Sequence, residues 1–341
     1  MTTRILPADE SRALAEAGEI LRGGGLVAFP TETVYGLGGN ALSDSSARDI
    51  FAAKGRPCDN PLIVHISDRS QLAPLIAEEP SPEAERLMDA FWPGPLTIIF
   101  NKSSLVPDSV TGGLNTVAVR MPSHPAARAL IEEAGVPVAA PSANSSGRPS
   151  PTRAEHVLED MNGKIPMILD GGACDVGVES TVLALDEGVP VILRPGGVTR
   201  EMIEQVLGCA KVDEGVLSPV DPEGAPRSPG MKYRHYAPRC RVRIFRGEEE
   251  RVISEISRLY DETEDALILC GEAHAPRYGG RRLISLGEGA EGAAHALFDA
   301  LRRADGMNAR AVFAEGVSLT GVGLAVMNRM GRAAAFDITD L

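Results

Sequence analysis

No CxxC pair occurs anywhere in this chain, and its five cysteines (Cys58, Cys174, Cys209, Cys240 and Cys270) are odd in number and widely spaced. Neither a disulfide framework nor a zinc site is indicated, which fits a reducing compartment and a cytoplasmic location. The opening residues MTTRILPADESRALAEAG carry no apolar signal-peptide core. No apolar run reaches the roughly 20 residues needed to cross a bilayer. Positive charge is scarce too. The net charge is −13, and most of the acidic excess lies in the first 205 residues, so a general affinity for nucleic acid or anionic membrane is not expected. A GxxxxGK[ST] phosphate loop and an HExxH pair are absent, as are a Ser–His–Asp order and a paired-carboxylate signature.

What is present is an α/β pattern long enough, at 341 residues, for two domains. Helical spacing over Ser11–Leu21 gives way to the buried strand Leu26–Phe29. Further strands are expected at Leu62–Ile66, Leu96–Phe100, Thr116–Arg120, Val136–Ala140, Met167–Asp170, Ser180–Leu185 and Val189–Arg194. Helices are expected at Ser45–Ala53, from Ser81-Pro82-Glu83 to Phe91, from Ser123-His124-Pro125 to Gly135, and at Glu201–Leu207. The clustered strands imply a mixed sheet. Residues 211–239 are proline-rich and read as a linker. From Arg241 strands and helices alternate at short spacing, as in a small parallel α/β domain, with no GxGxxG after its first strand. The division is therefore 1–210, 211–239 and 240–341.

Chemistry-bearing residues gather at strand ends. In "FAAKGRPCDNPLIVHI", Lys54 and Arg56 flank Gly55, and Asn60 leads into a strand ending at His65. Two cations beside a glycine can grip a phosphate, although a solvated helix C-terminus attracts cations as well. "APSANSSGRPSPT" places Ser142, Asn144 and Thr152 past another strand, where α/β sheets bind ligands or where polar surface loops run. Ser180 heads a strand and Arg194 ends one. Arg120 closes an apolar strand, so it is either at an exposed end or in need of a partner. His65 is a base, a contact or a structural group, and Glu32 in the loop after Phe29 serves equally well as a cap. Together these side chains outline a cavity for a large, polar, anionic ligand rather than a nucleophile's pocket.

The segments "FPTETVYGLG", "KGRP..NPL.VHI", "PSAN.SG.PSPT", "ESTV" and "RPG", in this order, resemble the threonylcarbamoyl-AMP synthases, the YrdC-like proteins. "SPGM.Y.HYAP" followed by a second α/β domain resembles the longer form of that family. The resemblance implies a YrdC-like twisted mixed sheet with helices around a large polar cavity, plus a small Rossmann-like parallel α/β C-terminal domain. It implies that L-threonine, bicarbonate or CO2, and ATP give threonylcarbamoyl-AMP and pyrophosphate. It also implies a downstream enzyme complex that transfers the threonylcarbamoyl group to tRNA. Carried over by motif, Thr33, His65, Arg120, Ser142 and Ser180 resemble threonine contacts. Arg56, Asn60, Thr116, Asn144, Thr152 and Arg194 resemble ATP contacts. Lys54 is placed near the phosphates and, with Arg56, in a catalytic role. Magnesium is expected to arrive with ATP, with no metal ligands of the protein's own. Tyr233, Arg234, His235 and Tyr236 are expected to form a lid, because a carbamate and an acyl-adenylate both decompose in water.

Two other readings remain at this point. One is an enzyme of the same fold that makes a carbamoyl-adenylate from carbamoyl phosphate, whose usual zinc-finger-like segments are missing here. The other is a non-catalytic binder of double-stranded RNA, which the acidic first domain disfavours.

Overall fold

The computed structural model describes residues 2–218 and 236–341, which build two sheets. The first has eleven strands, in the order Arg4–Pro7, Met167–Asp170, Val27–Phe29, Gly36–Asn40, Val138–Ala139, Ile63–His65, Thr116–Arg120, Leu96–Asn101, Thr181–Asp186, Val189–Arg194 and Lys211–Val212. It is mixed, as expected. Ile63–His65 runs parallel to Thr116–Arg120 on one side and antiparallel to Val138–Ala139 on the other. The second sheet has five strands, in the order Leu283–Ser285, Ala266–Cys270, Ala311–Glu315, Arg241–Arg246 and Ile338–Asp340, and every pairing is parallel.

Local chemistry sets the helix ends. The Ser43 hydroxyl accepts from the Ser46 N–H at 3.3 Å to start Asp44–Lys54, and Gly55 ends that helix at φ +62°. Ser81 caps Pro82–Phe91, with proline in the first turn. The helix opened by Ser123-His124-Pro125 is Pro125–Ala134, and its cap is the His124 ring, which accepts from the Ala126 N–H at 3.2 Å.

The strand Gly36–Asn40 falls where no element is expected from the sequence. It pairs with Val27–Phe29 on one side and Val138–Ala139 on the other. Glycine is needed because a Cβ on Gly38 would lie 2.9 Å from both the Phe29 ring and Val138. The strand Arg4–Pro7 and the helix Ala154–Met161 also carry no element expected from the sequence.

The two sheets' units share buried apolar contacts. Val34 and Val178, from the loops of the first, pack in one cluster with Leu297, Phe298, Val326 and Met330 of the second. Tyr236, near the end of the 211–239 segment, sits in this cluster, with its ring 5.1 Å from that of Phe298.

Candidate active site

Register brings the site together. His65 and Arg120 are partners across parallel strands, and Thr97 faces Arg120 on the other side. The Thr97 hydroxyl lies 2.8 Å from that of Ser180, at the head of the next strand. Thr33 reaches the same place from the loop between two antiparallel strands: its hydroxyl accepts from Arg120 Nη1 at 3.0 Å. That loop is held by Thr31, whose hydroxyl donates to the Val34 carbonyl at 2.6 Å and accepts from the Thr33 and Val34 N–H groups.

Arg120 is not an exposed strand end. Its Nη2 lies 2.7 Å from Glu32 Oε1, and the two side chains are only 4% and 7% exposed. Glu32 is thus the partner that a buried arginine requires, rather than a cap. Burial pushes the Glu32 carboxyl upward, but Arg120 outweighs it and holds the group below its ordinary range.

The neighbouring wall carries the cations. Arg194 Nε and Nη2 donate to the Ser180 carbonyl at 3.1 and 2.9 Å, and Nη2 also meets the Ser180 hydroxyl at 3.1 Å. The "RPGG" turn can lie this close because Gly196 has no side chain: a Cβ there would stand 2.3 Å from the Glu179 carbonyl oxygen. Burial and the nearby Arg329 bring Arg194 down to about 10. Arg56 points its Nη2 toward the Asn60 and Pro61 carbonyls, at 3.4 and 3.3 Å. Ser142 and Asn144 face the cavity from the loop after Val138–Ala139, with the Ser142 hydroxyl 2.5 Å from Asn144 Oδ1.

Thr33, His65, Arg120, Ser142 and Ser180 therefore line one cavity with Arg56, Asn144, Arg194 and Tyr236. The cavity proper holds about 60 Å³, within about 640 Å³ of space that includes the open solvent at its mouth. The sequence did not single out Thr31 and Glu179 for this wall. The signal for Thr31 was available in the repeated threonines of "TET". Glu179 precedes Ser180 in "EST", and nothing local shows that its carboxylate is buried.

Four expected residues lie elsewhere. Lys54 is buried behind the wall: its ammonium bonds the Ser142 carbonyl, and the Asn144 carbonyl at 2.6 Å. Burial, with Arg56 adding to it, pulls its pKa well down. It thus holds the loop that carries Ser142 and Asn144. Asn60 is fully buried beside the cavity. Thr152 is buried too, its N–H donating to the His156 ring at 3.3 Å. Thr116 begins its strand and borders a separate depression with Phe100 and Leu193. Of the expected lid, Tyr236 forms part of the cavity wall, while Tyr233, Arg234 and His235 lie outside the described residues. Among the described residues there is no cluster of three His, Cys, Asp or Glu side chains able to hold a metal, and no helix is long and apolar enough to cross a membrane.

His65 is 3% exposed, and burial, reinforced by Arg120, drops its pKa from 6.5 to about 3. Linkage fixes the sign. Below pH 6.5 the unfolded chain takes up a proton here, while the folded chain does not until about pH 3. Stability from this group is therefore lost as pH falls through that window, at about 1.4 kcal/mol per pH unit. His65→Asn should flatten the stability-versus-pH curve there, measured by urea unfolding. Equal slopes for parent and variant would contradict a neutral, buried imidazole.

The family described as "Telomere recombination" matches residues 19–196, and the one described as "Threonylcarbamoyl-AMP synthase, C-terminal domain" matches residues 198–335. The threonylcarbamoyl-AMP synthase of Bacillus subtilis is 50% identical over 94% of this chain and 92% of its own length. That of Pyrococcus abyssi is 49% identical over 94% of both chains. The crystal structure of P. abyssi Sua5 complexed with L-threonine superposes with a TM-score of 0.94 at 46% identity, covering 99% of this chain and all of the other.

Proposed function

The chain belongs to the threonylcarbamoyl-AMP synthase family, and from that premise we propose that it joins L-threonine, bicarbonate or CO2, and ATP into threonylcarbamoyl-AMP and pyrophosphate. The observation that carries this reading is the convergence of Thr33, His65, Arg120, Ser142 and Ser180 with Arg56, Asn144 and Arg194 on one cavity. Arg120 takes the threonine carboxylate, Thr33 and Ser180 offer hydroxyls beside it, and neutral His65 supplies a hydrogen-bonding wall without added charge. The threonine amine captures CO2 as a carbamate. A carbamate oxygen then attacks the α-phosphorus of ATP, and pyrophosphate departs. The protein's share is positioning and charge stabilisation. Arg56 and Arg194 meet the phosphates, Asn60, Thr116 and Thr152 belong to the nucleotide's surroundings, and Lys54 acts from beneath through the Ser142–Asn144 loop. Magnesium comes bound to ATP's phosphates.

In this reading residues 1–210 form the catalytic unit together with the edge strand Lys211–Val212, which the sheet takes from the start of the expected linker; the rest of 211–239 carries the lid, and 240–341 support both. The product passes to a threonylcarbamoyl-transferring complex that acts on tRNA in the cytoplasm. The test is turnover with threonine analogues. Serine should work with a modest loss, because one methyl is worth only about 1–3 kcal/mol. Valine should be far worse, because it leaves the polar partners of the hydroxyl unmatched. Comparable turnover of valine and threonine would refute the threonine assignment.

A further inference from the structure

One ion pair crosses from the second unit into the wall of the cavity. Arg329 lies on the helix Gly323–Ala333 and is fully buried. Its Nε donates to Glu179 Oε2 at 2.7 Å, and its Nη1 to Asn328 Oδ1 at 2.7 Å. Its guanidinium carbon stands 5.8 Å from the centre of the Tyr236 ring. The other Glu179 oxygen accepts from the Ser150 hydroxyl at 2.6 Å. Burial raises the Glu179 carboxyl, but Arg329 and then Arg194 overcome this and hold it at about 2, so the group is charged at any working pH.

A charged carboxylate in this position needs a reason. It borders a cavity whose reading requires a polyanion, and it directly precedes Ser180, whose carbonyl and hydroxyl Arg194 holds. Uncompensated, it would repel phosphates and draw Arg194 into an ion pair of its own. We infer that Arg329 is a positioning residue for the reaction: it binds the Glu179 charge from behind the wall, leaving Arg194 to face the nucleotide's phosphates. The inference rests on the adenylate-forming reading above. It gives the second unit a part in the chemistry, because a residue that shapes the phosphate site comes from its helix. The bland alternative is a buried bond that merely fastens the two units together.

The test uses the full chain, pyrophosphate release, and ATP titrations at saturating threonine and bicarbonate. Arg329→Met should raise the KM for ATP about tenfold while the KM for threonine moves by less than about threefold. Arg329→Lys should recover most of the loss. The double variant Glu179→Gln with Arg329→Met lacks both charges, and its KM for ATP should return to within about threefold of the parent. A folded double variant still impaired about tenfold, or an Arg329→Met variant in which both KM values rise together, overturns the inference and leaves a purely structural bond. Should Arg329→Met not fold, the double variant decides: a near-parent KM for ATP supports the inference, and a raised KM or a failure to fold overturns it. A parent chain that releases no pyrophosphate overturns the adenylate reading and this inference with it. A parent that does, with variants behaving otherwise, overturns the inference alone.

Discussion

Arg120→Met should abolish threonine use and weaken the fold at the same time, and a second substitution should separate the two effects. Arg120 and Glu32 form a buried pair at 2.7 Å. Removing one partner strands the other charge in a buried position, which costs about 3–5 kcal/mol. The single variant should therefore melt well below the parent. Adding Glu32→Gln removes the stranded charge and should restore most of the stability. It should not restore activity, because the guanidinium proposed to meet the threonine carboxylate is still missing. Thermal melting and threonine-dependent pyrophosphate release on the parent, the single and the double variant check this. Recovery of turnover in the double variant would show that Arg120 serves the fold alone.

Arg56→Ala should be the complement, a large loss of chemistry with little loss of stability. Arg56 is part-exposed at the mouth of the cavity, and two of its hydrogen bonds, to the Asn60 and Pro61 carbonyls, are long. A phosphate contact of the charge-assisted kind is worth about 2–5 kcal/mol when truncated. Pyrophosphate release should thus fall by a factor between roughly thirty and several thousand. The melting temperature and the threonine affinity should stay near the parent's. Turnover within a few-fold of the parent at saturating ATP would remove Arg56 from the phosphate site.

The difference between these two arginines explains how much of the site was legible. His65, Ser142 and Arg194 sit where an apolar run stops, Arg56 just past a helix end and Ser180 at the head of a strand, and in an α/β sheet such element ends are where side chains turn from packing to binding. Their gathering around one cavity follows from register, and the parallel pairing of His65 with Arg120 puts into contact two residues that the sequence separates. Arg120's need for a partner could be read from its strand, but its partner's identity could not. Glu32 lies in a loop whose path is fixed by the Thr31 hydroxyl, and a carboxylate in a loop reads equally well as a cap.

Two parts were hidden for other reasons. The strand Gly36–Asn40 carries no alternation of apolar and polar residues, since crowding by Phe29 and Val138 selects glycine instead. Glu179 and Arg329 meet only through the packing of the second unit on the first. Arg329 belongs to a helix that is buried on nearly every residue, whereas an arginine on a helix ordinarily points to water. No local pattern distinguishes a helical arginine that is fully buried from one that is solvated, so this part of the site is visible only in three dimensions.

The central claim is that a single cavity couples carbamoylated threonine to the α-phosphate of ATP. The most direct measurement is mass spectrometry of the products formed by the full chain from isotopically labelled threonine, labelled bicarbonate and ATP, with each substrate omitted in turn. The account predicts one adenylate carrying both labels, formed together with pyrophosphate and absent whenever any substrate is left out. An adenylate that carries the bicarbonate label without threonine, or pyrophosphate released when threonine is omitted, would contradict it.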